Sequence, residues 1–199
     1  MDADLKRQID FIYTLEKMKT VYRRTHLVFG DRYENDAEHS FHIAAMALIL
    51  KDHAPSNVDI GRVVSMLLFH DVVEIEAGDT FAYDKELNKS KREREVAAAD
   101  KLYGSLPKDL GDEFRNLWEE FEAQETPESH FALAMDRMEP ILLNAARDGG
   151  SWNEHHIRYE DVLDRIAPIK RYPKLYDVIL RKVDDYFNEE VNHDKDITG

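Results

Sequence analysis

Glycine and proline, the residues that most readily interrupt regular backbone, are scarce in this sequence. There are 8 and 6 of them among 199 residues, where average usage together is about 12%. Few turn formers mean few connections and therefore long elements. The spacing of apolar residues says which kind. Leu5, Ile9, Ile12, Leu15 and Met18 recur every three or four positions, which predicts an amphipathic helix over Asp4 to Lys19. Residues Thr20 to Tyr33 read as irregular. Asn35 or Asp36 then serves as an N-cap, with Glu38 where a capping box places it for Asn35. The helix after it, HSFHIAAMALILKDH, is apolar almost all round and is expected to be central and buried, with Pro55 to Asn57 as its stop. Asp59 starts another apolar helix, IGRVVSMLLFHDVVEI, ended by Gly78 and Asp79. Lys85 to Lys101 reads as a solvated helix with pairs such as Lys91 and Glu95. Further helices are predicted at Lys108–Ala123, Glu128–Asp148, His156–Ile169 and Tyr172–Val191, before a frayed tail HDKDITG. No alternating run is long enough for a strand. The expected fold is all-α, one domain over 1–199.

Composition narrows the function. Lys and Arg number 27 against 41 Asp and Glu, a formal net charge of −14. Such a surface repels nucleic-acid backbones and anionic lipid, so a phosphate ligand must be held by a local cation or a metal. Cysteine is absent, which removes disulfides, thiolate catalysis, zinc fingers and iron–sulfur clusters. The N-terminus lacks the apolar stretch of a signal peptide and no segment reaches 18 consecutive apolar residues. The expectation is a cytoplasmic globular protein with no membrane partner.

Polar residues in apolar surroundings carry the chemistry. His39 lies in AEHSFH, the pair His70–Asp71 closes MLLFHD, and Asp136 follows an apolar run in FALAMDRMEP. Burying such groups unpaired is costly, so something must satisfy them. Pro140 pushes against the carbonyl of Asp136 and suggests a local kink at that residue. Two imidazoles and two carboxylates suit one Mn, Fe, Co, Ni, Zn or Mg ion, and an octahedral ion so held keeps positions for water and a phosphate oxygen.

The pattern His39…His70-Asp71…Asp136, with the strings ENDAEHS, FHDVVEIEAGD and MDRMEP, resembles the HD-domain metal-dependent phosphohydrolases, and within them the small branch of the 5′-deoxynucleotidases. The likeness runs from about Lys19 to Gly149, with the helices over 156–191 packed on that core. It implies His39, His70, Asp71 and Asp136 as metal ligands, and Glu74 as the acid or base acting on the attacking water. It further implies Asp79 as a second carboxylate orienting that water or the leaving oxygen, and Arg23 as the 5′-phosphate clamp, with Arg24 the alternative. Members of the branch often carry a Trp shortly after that arginine; here Arg24, Thr25, His26 and Leu27 follow. Ile75 stands where alarmone hydrolases of the superfamily carry a second acid, and no GYP string is present. The implied activity is hydrolysis of (deoxy)nucleoside 5′-monophosphates by a homodimer. The alternatives are hydrolysis of a nucleoside triphosphate or other phosphate ester, and a non-catalytic metal-stabilised module.

Several residues also have plainer readings. His42 reads as a partly buried structural residue, and Glu154, His155 and His156 as a solvated helix start. Asp79 also suits a turn after Gly78, and the two arginines also suit a surface. The acidic runs at 119–122 and 184–190 read as solvated faces.

Overall fold

The chain, as a computed structural model, is described over residues 2–197, with side chains except those of Lys85, Asn88 and residues 189–197. It is a mostly helical single domain with one small β-ribbon. Helix α1 (Ala3–Leu15) tightens into a 3-10 turn (Glu16–Thr20) and leads into strand β1 (Tyr22–His26), which pairs antiparallel with β2 (Tyr33–Asn35). The segment expected to be irregular is thus largely ribbon. Its strands are too short, and too polar in YRRTH, to carry an alternating signal. Tyr22 lies opposite Asn35 and His26 opposite Tyr33, so the longer strand bulges between them.

Asn35 caps α2 (Asp36–Ile49) with the expected capping box: its Oδ1 accepts from Glu38 N at 3.0 Å and Glu38 Oε2 accepts from Asn35 N at 3.1 Å. Burial of α2 is not all-round. Ile43, Ala44 and Ala47 face the core, while Phe41, Leu48 and Ile49 are exposed. Asp59 caps α3 (Ile60–Phe69), which does not continue as one helix to Ile75. It tightens into a 3-10 turn at His70–Val73 before the short α4 (Glu74–Ala77). The charged segment also divides, into α5 (Lys85–Asn88) and α6 (Lys91–Tyr103), and Glu95 is buried rather than solvated.

α7 (Lys108–Ala123) keeps its expected bounds, and α8 (Pro127–Ala146) runs through Pro140. α9 (Ser151–Glu154) is followed by α10 (Tyr159–Ile166), a 3-10 turn to Arg171, and α11 (Pro173–Ile197). His155 and His156 therefore close a short helix instead of opening a long one. The last helix extends past Val191 into the tail expected to fray, and Thr198 and Gly199 lie outside the described residues. No helix among the described residues is long and apolar enough to cross a membrane.

Two apolar clusters result. The larger joins α2, α3, α8, α10 and α11 through Ile43, Met66, Leu67, Phe131, Met135 and Ile179. The smaller gathers Phe11, Met18, Val72, Val73, Leu102 and Trp118 around the start of the chain and α6–α7. Each fully buried side chain of this kind contributes about 1.5–3 kcal/mol. The His70–Val73 turn stands where the chain leaves one cluster for the other, since Leu67 belongs to the first and Val72 to the second.

A left-handed turn returns the chain from α8 into the domain: Asp148, Gly149 and Gly150 all take positive φ. A Cβ at Gly149, at φ +88°, would run into the Tyr186 ring. Gly149→Ala is expected to cost about 1–3 kcal/mol and to lower the thermal midpoint by about 2–12 °C, at about 2–4 °C per kcal/mol for a chain of this size. A midpoint unmoved in a melting experiment would show that the turn relaxes without strain.

Candidate metal centre

Three elements bring the predicted ligands together. α2 supplies His39 from its buried first turn, α8 supplies Asp136, and the 3-10 turn supplies both His70 and Asp71. Neighbours on a regular α-helix diverge, but this tighter turn leaves His70 Nε2 3.0 Å from Asp71 Oδ1. His39 Nε2 lies 3.2 Å from Asp136 Oδ1 and 3.9 Å from Asp71 Oδ2, and His70 Nε2 is 3.8 Å from Asp136 Oδ1. His39, His70 and Asp136 each offer an atom to one common point, and Asp71 stands against the two histidines through its two oxygens. All four side chains are buried.

These donors fit a divalent cation. His70 Nδ1 meets the Leu67 carbonyl oxygen at 2.9 Å, which directs Nε2 at the common point. That Nε2 is buried and, despite the nearness of Asp71, out of line for a hydrogen bond. His39 Nδ1 faces Glu139 Oε2 at 3.3 Å, and the other Glu139 oxygen meets His42 Nδ1 at 2.9 Å. Carboxylate behind imidazole is the usual support of a metal-bound histidine. The donor set is nitrogen and oxygen only, suited to Mn, Fe, Co, Ni, Zn or Mg.

Charge points the same way. Glu34, Asp36, Asp71, Glu74, Asp136 and Glu139 are all buried, against Arg23 among them and Arg137, whose Nη1 is 3.4 Å from Asp136 Oδ2. Arg23 Nη1 is 3.0 Å from Asp71 Oδ2 and 3.9 Å from Asp36 Oδ1, and its Nε is 3.6 Å from Glu34 Oε1. Burial and the charge of Arg23 oppose protonation of His39, yet Glu139 and Asp136 outweigh them and hold its pKa at about 10. His70 is raised to about 9, burial being outweighed by Asp71 and Asp136. Burial raises Glu34 and Asp36 to about 8, with Glu139 and Asp71 respectively adding to the rise. Glu74 stands well above an ordinary glutamate because of burial and the charges of Asp71, Asp36 and Asp79.

His70, Asp71 and Asp136 line a cavity of 210 Å³, while His39 does not reach its surface. Arg23, Arg24, Glu74 and Asp79 line the same cavity. Gly78, at φ +76° and ψ 146°, takes a backbone conformation open almost only to glycine and carries the chain from α4 to Asp79 on the cavity wall. His42 lies outside the ligand set, half-exposed, as a support for Glu139. Glu154 fastens α9 to the ribbon, with His26 Nε2 at 2.6 Å and the Tyr33 hydroxyl donating at 3.1 Å.

Sequence reasoning missed the supporting carboxylates. Glu139 follows Asp136 by three residues on α8, a spacing that puts both on one face and was available as a signal. Glu34 and Asp36 flank a helix cap and carry no such spacing. Lys91, read as a surface partner of Glu95, keeps that pair at 3.3 Å but lines the cavity.

Comparison with known proteins agrees with this arrangement. A family model described as the HD domain matches residues 15–175. The human protein named 5′-deoxynucleotidase HDDC2 is 29% identical over 173 residues, covering 86% of this chain and 82% of that protein. Its bovine counterpart is 30% identical over the same shares. The crystal structure of a protein from Magnetospirillum magnetotacticum, described as a predicted metal-dependent phosphohydrolase, is 42% identical with a TM-score of 0.89 over 94% of each chain. By the match over most of its length, and with the predicted histidine and aspartate ligands gathered from α2, the 3-10 turn and α8, this chain belongs to the HD-domain family.

Proposed function

We propose that this chain is a divalent-metal-dependent 5′-nucleotidase that releases phosphate from deoxynucleoside 5′-monophosphates. The observation that carries the reading is one cavity holding three of the four ligands together with Arg23, Glu74 and Asp79. The names of the human and bovine relatives support the substrate class.

His39, His70, Asp71 and Asp136 would hold one divalent ion, which would supply Lewis acidity to a water and to the phosphate. Arg23 adds fixed positive charge beside Asp71, in a form suited to two phosphate oxygens at once. Glu34 and Asp36 stand behind its guanidinium and keep it from turning away. Glu74 receives the proton of the attacking water, a role suited to a carboxylate whose proton affinity burial and Asp71 raise. Its proton then passes to the departing O5′ as the P–O5′ bond breaks, leaving nucleoside and phosphate. Asp79, also raised by burial, lies beside Glu74 and orients the water or the leaving oxygen.

Arg24, Lys91 and Arg165 line the same cavity, more positive charge than one phosphate engages. That observation favours a nucleoside triphosphate as the second reading, and identification of the released product separates the two. Glu74 and Asp79 in the cavity argue against a non-catalytic module. The exposed Phe41, Leu48 and Ile49, spaced along one side of α2, supply an apolar surface for the expected homodimer. Residues 1–199 as one unit and a cytoplasmic setting complete the proposal.

His70→Ala and Asp71→Ala are each expected to lose bound divalent ion, read by elemental analysis, and phosphate release together. Turnover persisting in a metal-free double variant would remove the mechanism. Glu74→Gln is expected to retain the ion while kcat falls by about 10²–10⁴; unchanged kcat would return the cavity to a binding role. Protons compete with the ion for the two imidazoles. Because His70 and His39 hold theirs up to about 9 and about 10, affinity for Mn or Zn should rise as pH climbs from 7 towards that range. Calorimetry in buffers of different ionisation enthalpy should register proton release at pH 7, and its absence would contradict the assignment of both histidines as ligands.

A further inference from the structure

Arg94, half-buried on α6, has no role in the chemistry above, and it does not line the cavity. Its hydrogen bonds nevertheless end on either side of a residue that does. Nη1 donates to the Ala77 carbonyl at 2.9 Å, and Nη2 donates to the Thr80 hydroxyl at 2.9 Å and to the Leu87 carbonyl at 3.3 Å. Ala77 is the last residue of α4 and Thr80 follows Asp79, so one planar guanidinium brackets Gly78 and Asp79. Thr80 is buried and belongs to the cavity wall, as Asp79 does.

The bracketed segment needs a hold from outside itself. The Gly78 amide closes the helix onto the Glu74 carbonyl at 2.8 Å, and the chain then leaves through the residue type with the widest choice of backbone conformations. The last carbonyls of a helix have no donor within it, so the one at Ala77 is open to a side chain. Arginine suits this place because its donors form a rigid fork that reaches two acceptors at once, whereas a lysine ammonium is a single point. With Ala77 and Thr80 both held, only two residues lie between fixed points, and the direction of the Asp79 carboxyl is set with them.

We propose that Arg94 is a positioning residue: by joining Ala77 to Thr80 it holds Asp79 on the cavity wall beside Glu74. The inference rests on the role given to Asp79 in the nucleotidase reading. In the metal-loaded protein turning over deoxynucleoside monophosphates, Arg94→Met is expected to lower kcat by about 10²-fold, the scale of a catalytic group displaced by about 1 Å. KM should stay within about threefold, and bound metal should be unchanged because no predicted ligand lies on this loop. Thr80→Val removes one acceptor with little change of volume and should lower kcat by about fivefold; it decides alone if Arg94→Met does not fold. Added to Asp79→Asn, Arg94→Met should deepen the loss by less than about twofold, since both act at one group. Losses that multiply, or an unchanged kcat in either single variant, would overturn the assignment. Hydrogen exchange reads the hold without metal or substrate: amides of residues 78–82 should exchange about tenfold faster in Arg94→Met, and unaltered exchange would overturn it too. Wild-type kcat in Asp79→Asn is a different outcome. It removes Asp79 from the nucleotidase reading, and this inference with it.

Discussion

At the seam between two apolar clusters, the domain encloses a crowd of ionisable groups that the solvent scarcely reaches. Glu34, Asp36, His39, His70, Asp71, Glu74, Asp136 and Glu139 are buried there around Arg23. Removing an ion from water costs several kcal/mol unless charge and hydrogen bonds replace the water. The surrounding elements hold these groups in mutual reach. Asp136 answers His39, Glu139 answers both His39 and His42, and Arg23 answers Asp71. The ribbon, α2, the 3-10 turn and α8 are thereby bound to one another through charge as well as through apolar contact.

The same arrangement prepares the centre for chemistry. Carboxylates in excess of cations favour a further positive charge, and they raise both imidazoles well above an ordinary histidine. Supporting residues fix the predicted ligands from behind. Leu67 offers a carbonyl to His70, and Glu139 faces His39 from the side away from the cavity. A preorganised site of this sort has little left to rearrange when phosphate charge develops, which is where electrostatic catalysis gains most.

Much of this was legible before any fold was known. His39, His70, Asp71 and Asp136 stand out because each is a polar residue in an apolar run, and the structure brings the four within 4 Å of one or more of the others. The capping box at Asn35 and the bounds of α7 follow from local rules that need no tertiary contact. The ribbon escaped because its strands are short and polar. Lys91 and Glu95 looked like a surface pair, since i,i+4 spacing is the same whether a helix face meets water or a cavity. Glu34 and Asp36 matter only through Arg23, which lies more than ten positions away in sequence and close by only once β1 pairs with β2.

The sequence by itself determined that the chain is helical, that it lacks thiol chemistry, and which four side chains needed a partner. Those properties reside in composition and in spacing along a single element. Tertiary structure decided the rest: the tightening of α3 into the turn that aims His70 and Asp71 together, and the carboxylates that stand behind the ligands. It also set Arg94 across the loop that carries Asp79. Such facts depend on which elements pack together, and long-range packing energy is not written in any local run of residues.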